Sequence, residues 1–201
     1  MTQSINGKLI YRASSNSFTA DAFHGRCDGK SDTITIIRTN TDYVFGGYAS
    51  SAWNSLGAYI EDKNAFIFSL RRNGVSKGQK FAIKNPRKAL IGHFYYGPIF
   101  GGGNSNALNK HCYGCGHVVS FNCGHVLENY SYVNYHNVKT DCDIFLRDSS
   151  NDKFGCEVNL GHTYQCPDGY TCGQKNTTDY LAGETNNWLT TEIEVYQIIR
   201  N

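Results

Sequence analysis

Apolar and polar residues alternate with a period of two along several short stretches of the chain, the pattern of strands with one buried face. Residues 33–36 and 80–84 alternate in this way, whereas residues 65–70 are apolar on both faces, as in a strand covered on both sides. Polar residues 71–79 predict a turn between two of these strands. The strands predicted from the pattern cover residues 33–36, 43–48, 65–70, 80–84, 143–147 and 192–198.

One segment near the start of the chain has a helical pattern instead. Asn16 or Ser17 is suited to cap its first turn, because a side-chain oxygen at that position accepts a backbone N–H. Residues 27–29 end it, since glycine favours the conformation that follows a helix. The apolar residues that share one helix face are Phe18, Ala22 and Phe23. Strands dominate the pattern, with few helices between them.

Length and composition fit one folded domain. The chain has 201 residues, of which 40% are hydrophobic and 18% charged, which is enough apolar material for a core. No repeat or linker divides it, so we expect a single domain over residues 1–201. Nineteen basic and 17 acidic residues give a net charge of +2 without a basic block. Nucleic acid is therefore not the expected partner.

Hydropathy favours an aqueous location. No apolar run reaches the roughly 18 residues that a membrane helix needs. Residues 1–17 lack the apolar centre of a secretory signal. We expect a cytoplasmic protein that does not insert into a membrane.

Residues 104–140 differ from the rest of the chain, because they lack alternation and are rich in cysteine and histidine. The pattern indicates a long loop inserted between strands. Cys112 and Cys115 have the spacing of a zinc knuckle, and nearby donors can complete a tetrahedron. The candidate ligands are Cys112, Cys115, His117 and Cys123, with His125 close by. Zinc would order the loop without a catalytic consequence; a redox or disulfide pair and unpaired thiols are the alternatives, and no other cofactor is indicated.

Three further cysteines bear on redox chemistry. Cys166 and Cys172 bracket a turn at residues 167–169 that brings them within disulfide reach in an oxidising compartment. Cys27 falls at the predicted end of the helix, where the negative end of the dipole disfavours a thiolate. A peroxide-reducing role for Cys27 is therefore poorly supported.

The last predicted strand carries two glutamates two positions apart. Side chains alternate along a strand, so Glu192 and Glu194 project from one face, and Ile193 and Val195 project from the other. The carboxylates could act as an acid/base pair, anchor a basic surface of a partner, or form a solvated face. No histidine or nucleophile can be paired with them from the sequence, which argues against catalysis.

Several blocks, in their order along the chain, resemble the TLDc domain family. The resemblance begins at residues 9–14 and ends at residues 191–196, so it covers nearly the whole chain. Single blocks such as residues 45–48 are weak signals, but the ordered series is specific. The other blocks are residues 18–29, 33–37, 65–70, 96–103, 143–146, 159–164 and 180–183. The insertion at residues 104–140 departs from the family pattern, because it separates two blocks that normally lie close together.

The resemblance implies an α+β fold, a β-sandwich of two mostly antiparallel sheets flanked by a few short helices. It brings no established catalytic centre, so we expect a protein-interaction domain and not an enzyme. TLDc proteins are associated with resistance to oxidative stress, and they bind the vacuolar proton pump, the V-ATPase, and modulate its assembly. The implied partners are soluble-sector subunits of the pump, at the cytosolic face of acidic organelles.

The resemblance also implies site residues. Glu194 matches the glutamate of the family's terminal Glu-Val-aromatic motif, which is linked to interaction with the pump. Five glycines, at positions 46, 47 and 101–103, match positions at which the family is sensitive, either as bends of the sandwich or as points of close backbone approach. The candidates for partner binding or fold support are Glu194, Glu192, Gly46, Gly47, Gly101 and Gly102.

Two other classes of function stay open at this stage. A thiol-based antioxidant enzyme would require a cysteine of low pKa. A zinc-stabilised or extracellular binding module would require bound metal or disulfides.

Overall fold

Strands in two antiparallel sheets dominate the protein, for which a computed structural model describes residues 5–102, 142–152, 156–186 and 188–200. The strands are β1 (Ile5–Arg12), β2 (Thr33–Thr39), β3 (Val44–Ala49), β4 (Leu56–Ile60), β5 (Phe66–Arg72), β6 (Val75–Ala82), β7 (Leu90–His93), β8 (Tyr96–Phe100), β9 (Ile144–Arg147), β10 (Glu157–Val158) and β11 (Thr190–Arg200). The helices are α1 (Ala13–Asn16), α2 (Ala20–Cys27) and α3 (Lys175–Thr178), with a 3-10 turn at Pro86–Lys88.

The strand order places the end of the chain inside a sheet. The six-stranded sheet has the order β1-β11-β2-β3-β5-β6, and the five-stranded sheet has the order β10-β9-β8-β7-β4. The C-terminal strand β11 therefore pairs with β1 on one side and β2 on the other. Both edges of β11 are hydrogen-bonded, so its outward side chains, and not its backbone, are what it presents to solvent.

The two sheets enclose a shared core. Phe45 and Ile67 of the six-stranded sheet belong to the same buried cluster as Leu90 and Phe100 of the five-stranded sheet. Trp53, on the connection between β3 and β4, packs edge-on against Phe100 with ring centroids 5.5 Å apart. The predicted α+β class and its sandwich of antiparallel sheets are confirmed.

The first helical segment differs from its prediction. Asn16 closes a separate short helix, α1, and Ser17 has a left-handed φ of 97°, which turns the chain before α2 begins. The cap of α2 is Thr19, whose hydroxyl accepts the N–H of Ala22 at 3.4 Å. The predicted cap at Asn16 or Ser17 is therefore wrong, whereas the helix ends at Cys27 as expected.

The polar turn predicted over residues 71–79 is also wrong. β5 continues to Arg72 and β6 begins at Val75, so only Asn73 and Gly74 form the turn, both with positive φ. The polar residues that suggested a long turn lie in β6, an edge strand with mostly exposed side chains. Lysine is a usual residue on such edges because it discourages pairing with other chains.

Candidate functional site

The outward face of β11 carries the two glutamates singled out in the sequence. Ile193 and Val195 are buried in the core, and Glu192 and Glu194 lie half-buried on the opposite face of the sheet. The strand register pairs Glu194 with Arg12 of β1 on one side and with Ile36 of β2 on the other. Ile36 in turn pairs with Gly46 of β3. Glu194 and Gly46 therefore belong to one row of residues across the outward face.

Glu194 is held by two neighbours. Arg12 donates to Glu194 Oε1 from Nη2 at 2.6 Å and from Nε at 2.8 Å, and the Tyr196 hydroxyl donates to Oε2 at 3.2 Å. The hydrogen bond to Glu194 raises the pKa of Arg12. The Arg12 side chain is 42% exposed and that of Glu194 is 21% exposed. The pair can thus present a fixed guanidinium to a partner as well as support the sheet.

Glu192 ties α1 to the same face. Its carboxylate accepts the Ser14 backbone N–H at 3.0 Å and the Ser14 hydroxyl at 2.5 Å. α1 is only one turn long, and these bonds fix it against the end of β11. The arrangement gives Glu192 a local structural role.

A shallow groove of about 410 Å³ runs beside these carboxylates. It is bordered by Arg12, Ser14, Arg38, Glu192 and Glu194. Arg38 of β2 is exposed and makes no ion pair with any described residue. The groove therefore combines paired carboxylates with an available guanidinium, an arrangement suited to polar contacts with another protein.

The four glycine candidates occupy tight places in the fold. A Cβ on Gly46 would lie 1.9 Å from the Thr35 carbonyl oxygen, and one on Gly47 would lie 2.4 Å from the Phe100 ring. A Cβ on Gly101 would lie 2.3 Å from the Asp143 carboxylate, and a Cβ on Gly102 would lie 1.9 Å from the Tyr59 ring. Gly46 faces outward with Glu194, whereas the other three pack against interior groups. The structure thus brings together Glu192, Glu194 and Gly46, and places the remaining candidates elsewhere.

Asp143 is a buried carboxylate that sequence reasoning did not single out. It accepts backbone N–H groups from the four consecutive residues 161–164, at 2.8 to 3.3 Å. Burial raises the pKa of Asp143 to about 6, while the four hydrogen bonds act in the opposite direction. Such a carboxylate positions a loop and does not face solvent. The sequence offered one signal, an aspartate directly before an apolar strand.

His24 forms a second buried polar cluster. Its Nδ1 lies 2.8 Å from Asp28 Oδ1, and its Nε2 lies 2.9 Å from the His93 carbonyl oxygen and 3.0 Å from that of Tyr96. The Ser55 hydroxyl donates to the other oxygen of Asp28. Ser55 and His24 both contact the Asp28 carboxylate but do not contact each other. The cluster therefore links α2 to the β7–β8 turn.

Among the described residues, cysteine occurs both as buried thiols and in a disulfide. Cys27 and Cys156 are free and buried, and burial raises the pKa of each thiol to about 12. A peroxide-reducing cysteine needs the reverse, a lowered pKa and access to solvent. Cys166 and Cys172 form a disulfide with Cα atoms 5.7 Å apart.

The proposed metal ligands lie outside this description. The candidates Cys112, Cys115, His117 and Cys123 fall in residues 103–141, beyond the described part of the chain. Among the residues that the structure does describe, no three histidine, cysteine, aspartate or glutamate side chains gather as metal ligands. Within the same residues, no helix is long and apolar enough to cross a membrane.

Comparison with known proteins identifies the family. The family model described as TLDc domain matches residues 2–199, which is nearly the full length of the chain. No curated protein matches the sequence.

Proposed function

The chain belongs to the TLDc domain family, and from this premise we propose that it is a non-catalytic protein-interaction domain that binds soluble-sector subunits of the V-ATPase. Members of this family are linked to resistance to oxidative stress. In the proposed role, binding at the cytosolic face of acidic organelles modulates assembly of the pump. The fold contributes a rigid surface, and the partner supplies the activity that is modulated.

The observation that carries the proposal is the outward face of β11. By the family resemblance, Glu194 matches the glutamate of the terminal motif, and Arg12 and Tyr196 hold its carboxylate in one orientation. Arg38 pairs in register with Glu192 and borders the same groove, exposed and without an ion pair to any described residue. A preorganised set of charges on a rigid sheet loses little conformational entropy on binding.

The described ionisable groups support a non-catalytic role. Asp143, whose pKa burial raises, is enclosed by backbone N–H groups. The two ring nitrogens of His24 lie against the Asp28 carboxylate and the His93 carbonyl oxygen. Neither group has access to a substrate. The thiols of Cys27 and Cys156 are buried and have raised pKa values.

Affinity capture from a eukaryotic lysate tests the proposal. The parent domain is compared with Arg38→Glu and Glu194→Ala, and with Lys63→Glu as a control, because Lys63 is exposed on the turn between β4 and β5. Quantitative mass spectrometry should show soluble-sector V-ATPase subunits enriched by the parent and by Lys63→Glu, and depleted at least about fivefold by Arg38→Glu.

Circular dichroism and thermal melts establish that each variant is folded. If a folded parent does not enrich the pump, the V-ATPase assignment is wrong. If the parent enriches the pump and both Arg38→Glu and Glu194→Ala enrich it equally well, the V-ATPase is the partner and the contact lies on another surface.

A further inference from the structure

A second groove lies at the opposite edge of the six-stranded sheet. It has a volume of about 630 Å³ and runs between the β5–β6 turn and the loop closed by the Cys166–Cys172 disulfide. The strand order separates it from the β11 face, because β6 is one edge of the sheet and β11 pairs with β1 at the other. The residues that matter below are Arg72, Val75, Lys77, Asp168, Tyr170 and Tyr180.

Arg72 is held in a fixed orientation in this groove. Its guanidinium lies 3.5 Å from the centroid of the Tyr180 ring, and its Nε donates to the Tyr180 carbonyl oxygen at 3.2 Å. Tyr180 is itself fixed, since its hydroxyl donates to Gln79 Oε1 at 2.5 Å. The two Nη groups of Arg72 make no hydrogen bond to any described residue. A guanidinium with one edge fixed and the other available is preorganised for a carboxylate.

The rest of the groove adds charge and exposed apolar surface. Lys77 of β6 is exposed and makes no ion pair with the described residues. Of the described residues that line the groove, Asp168 is the one acidic side chain, against the cations Arg72 and Lys77. Val75 is 66% exposed and Tyr170 is 37% exposed, so the groove also offers apolar surface that side chains of a partner can cover.

We propose that this groove binds an extended acidic segment of a partner protein. Carboxylates of the segment pair with the free edge of Arg72 and with Lys77, and its apolar side chains cover Val75 and Tyr170. The exposed apolar side chains Val75 and Tyr170 favour a polypeptide over a small anion, because a small anion would leave both side chains exposed. The proposal does not depend on the V-ATPase assignment, since it concerns a different edge of the sheet and can fail or succeed separately.

A synthetic peptide serves as the probe. A short fluorescein-labelled peptide of alternating glutamate and tyrosine is titrated with the full chain at low salt, beside a matched peptide of glutamine and tyrosine. Fluorescence anisotropy should show saturable binding of the acidic peptide, at least about tenfold tighter than the glutamine peptide. Amide chemical shifts should change at residues 75–79 and 168–172.

Variants then locate the contacts. Lys77→Gln and Tyr170→Ser alter exposed side chains, and each should lower the affinity for the acidic peptide about fivefold. Arg72→Lys keeps the charge but loses the planar guanidinium, and should lower the affinity for the acidic peptide by a similar factor. Lys63→Gln is the control for net charge, and should bind like the parent.

Three results would overturn the proposal. The first is no saturable binding of the acidic peptide below about 1 mM, the weak limit for a specific complex. The second is equal binding of the acidic and glutamine peptides. The third is an effect of Lys63→Gln as large as that of Lys77→Gln, with Tyr170→Ser unchanged, because that pattern indicates nonspecific attraction to positive charge.

Discussion

Gly47 of β3 lies directly against the ring of Phe100 of β8, so closely that a Cβ built at Gly47 would be 2.4 Å from the ring. This contact is where the two sheets approach each other, and Phe100 is fully buried there between Gly47 and Trp53. A glycine at this position lets the sheets close around an aromatic layer. Its role follows from packing and not from contact with a partner.

Gly47→Ala should therefore destabilise the fold. The methyl group forces Phe100 away from a well-packed site, at a cost of about 1–3 kcal/mol in the free energy of unfolding. Urea unfolding measures the change. Gly78→Ala is the matched control, because Gly78 also lies in a strand but a Cβ there meets nothing within 4 Å. The packing argument fails if the two variants lose the same stability.

Asp143→Ala should destabilise the protein as well. Asp143 Oδ1 accepts from residues 161, 162 and 164, while Oδ2 accepts from Thr163. Alanine has no acceptor, so these four backbone N–H groups would lose their buried partner. We expect a loss of about 2–3 kcal/mol, measured by urea unfolding at neutral pH. Asp168→Ala, in an exposed turn, should change stability by less than about 0.5 kcal/mol.

The same carboxyl predicts a dependence of stability on pH. Burial raises its pKa to about 6 in the folded protein, from 3.8, so the folded state binds this proton more tightly than the unfolded state. Its contribution to stability is complete below about pH 4 and is lost as the pH rises through about 6. The free energy of unfolding of the parent, relative to Asp143→Ala, should fall by about 2 kcal/mol between pH 4 and pH 7. A difference that stays constant or rises over this range would contradict the raised pKa.

Within the six-stranded sheet, the sequence predicted the central strands better than the edges. β2, β3 and β5 have alternating or continuous apolar residues because at least one of their faces is buried. Residues 75–79 of β6 have neither pattern, because an edge strand with exposed side chains tolerates lysine, serine and glycine. The strands that were not predicted are β1, β4, β7, β8 and the two-residue β10. The short ladders of β4 and β10 are set by neighbouring strands, and glycine or proline interrupts the apolar residues of β7 and β8.

The site was predictable only where strand alternation applies. Alternation sufficed to place Glu192 and Glu194 opposite the core. It could not show that Arg12, 182 positions away in sequence, pairs with Glu194, because that contact depends on how β1 and β11 meet. The four backbone donors around Asp143 were equally hidden, since a loop conformation creates them.

The buried thiols give a prediction about reactivity. Cys27 and Cys156 should resist alkylation in the folded protein, because burial restricts access and raises each thiol pKa to about 12. Site-resolved mass spectrometry after brief iodoacetamide treatment at neutral pH measures this. Both should become labelled in urea, which serves as the control. Rapid labelling of Cys27 in the native state would revive the thiol-based antioxidant function.

The Arg12–Glu194 pair allows fold support to be separated from partner contact. The pair lies at a partly exposed surface, so we expect only a small coupling from a double-mutant cycle with Arg12→Ala and Glu194→Ala. Urea unfolding of the parent, both single variants and the double variant measures the coupling and the stability of each variant. If the coupling is small and Glu194→Ala keeps nearly the stability of the parent, a loss of V-ATPase binding by that variant would report the contact itself.

A larger coupling would change that interpretation. If the cycle gave a coupling as large as that of a buried ion pair, the pair would act as a structural link, and lost binding by Glu194→Ala would follow from a disturbed sheet. Arg38→Glu then becomes the informative variant, because Arg38 is exposed and has no ion pair among the described residues to lose. Binding lost by Arg38→Glu at unchanged stability would place the contact on this face, whatever the role of Glu194.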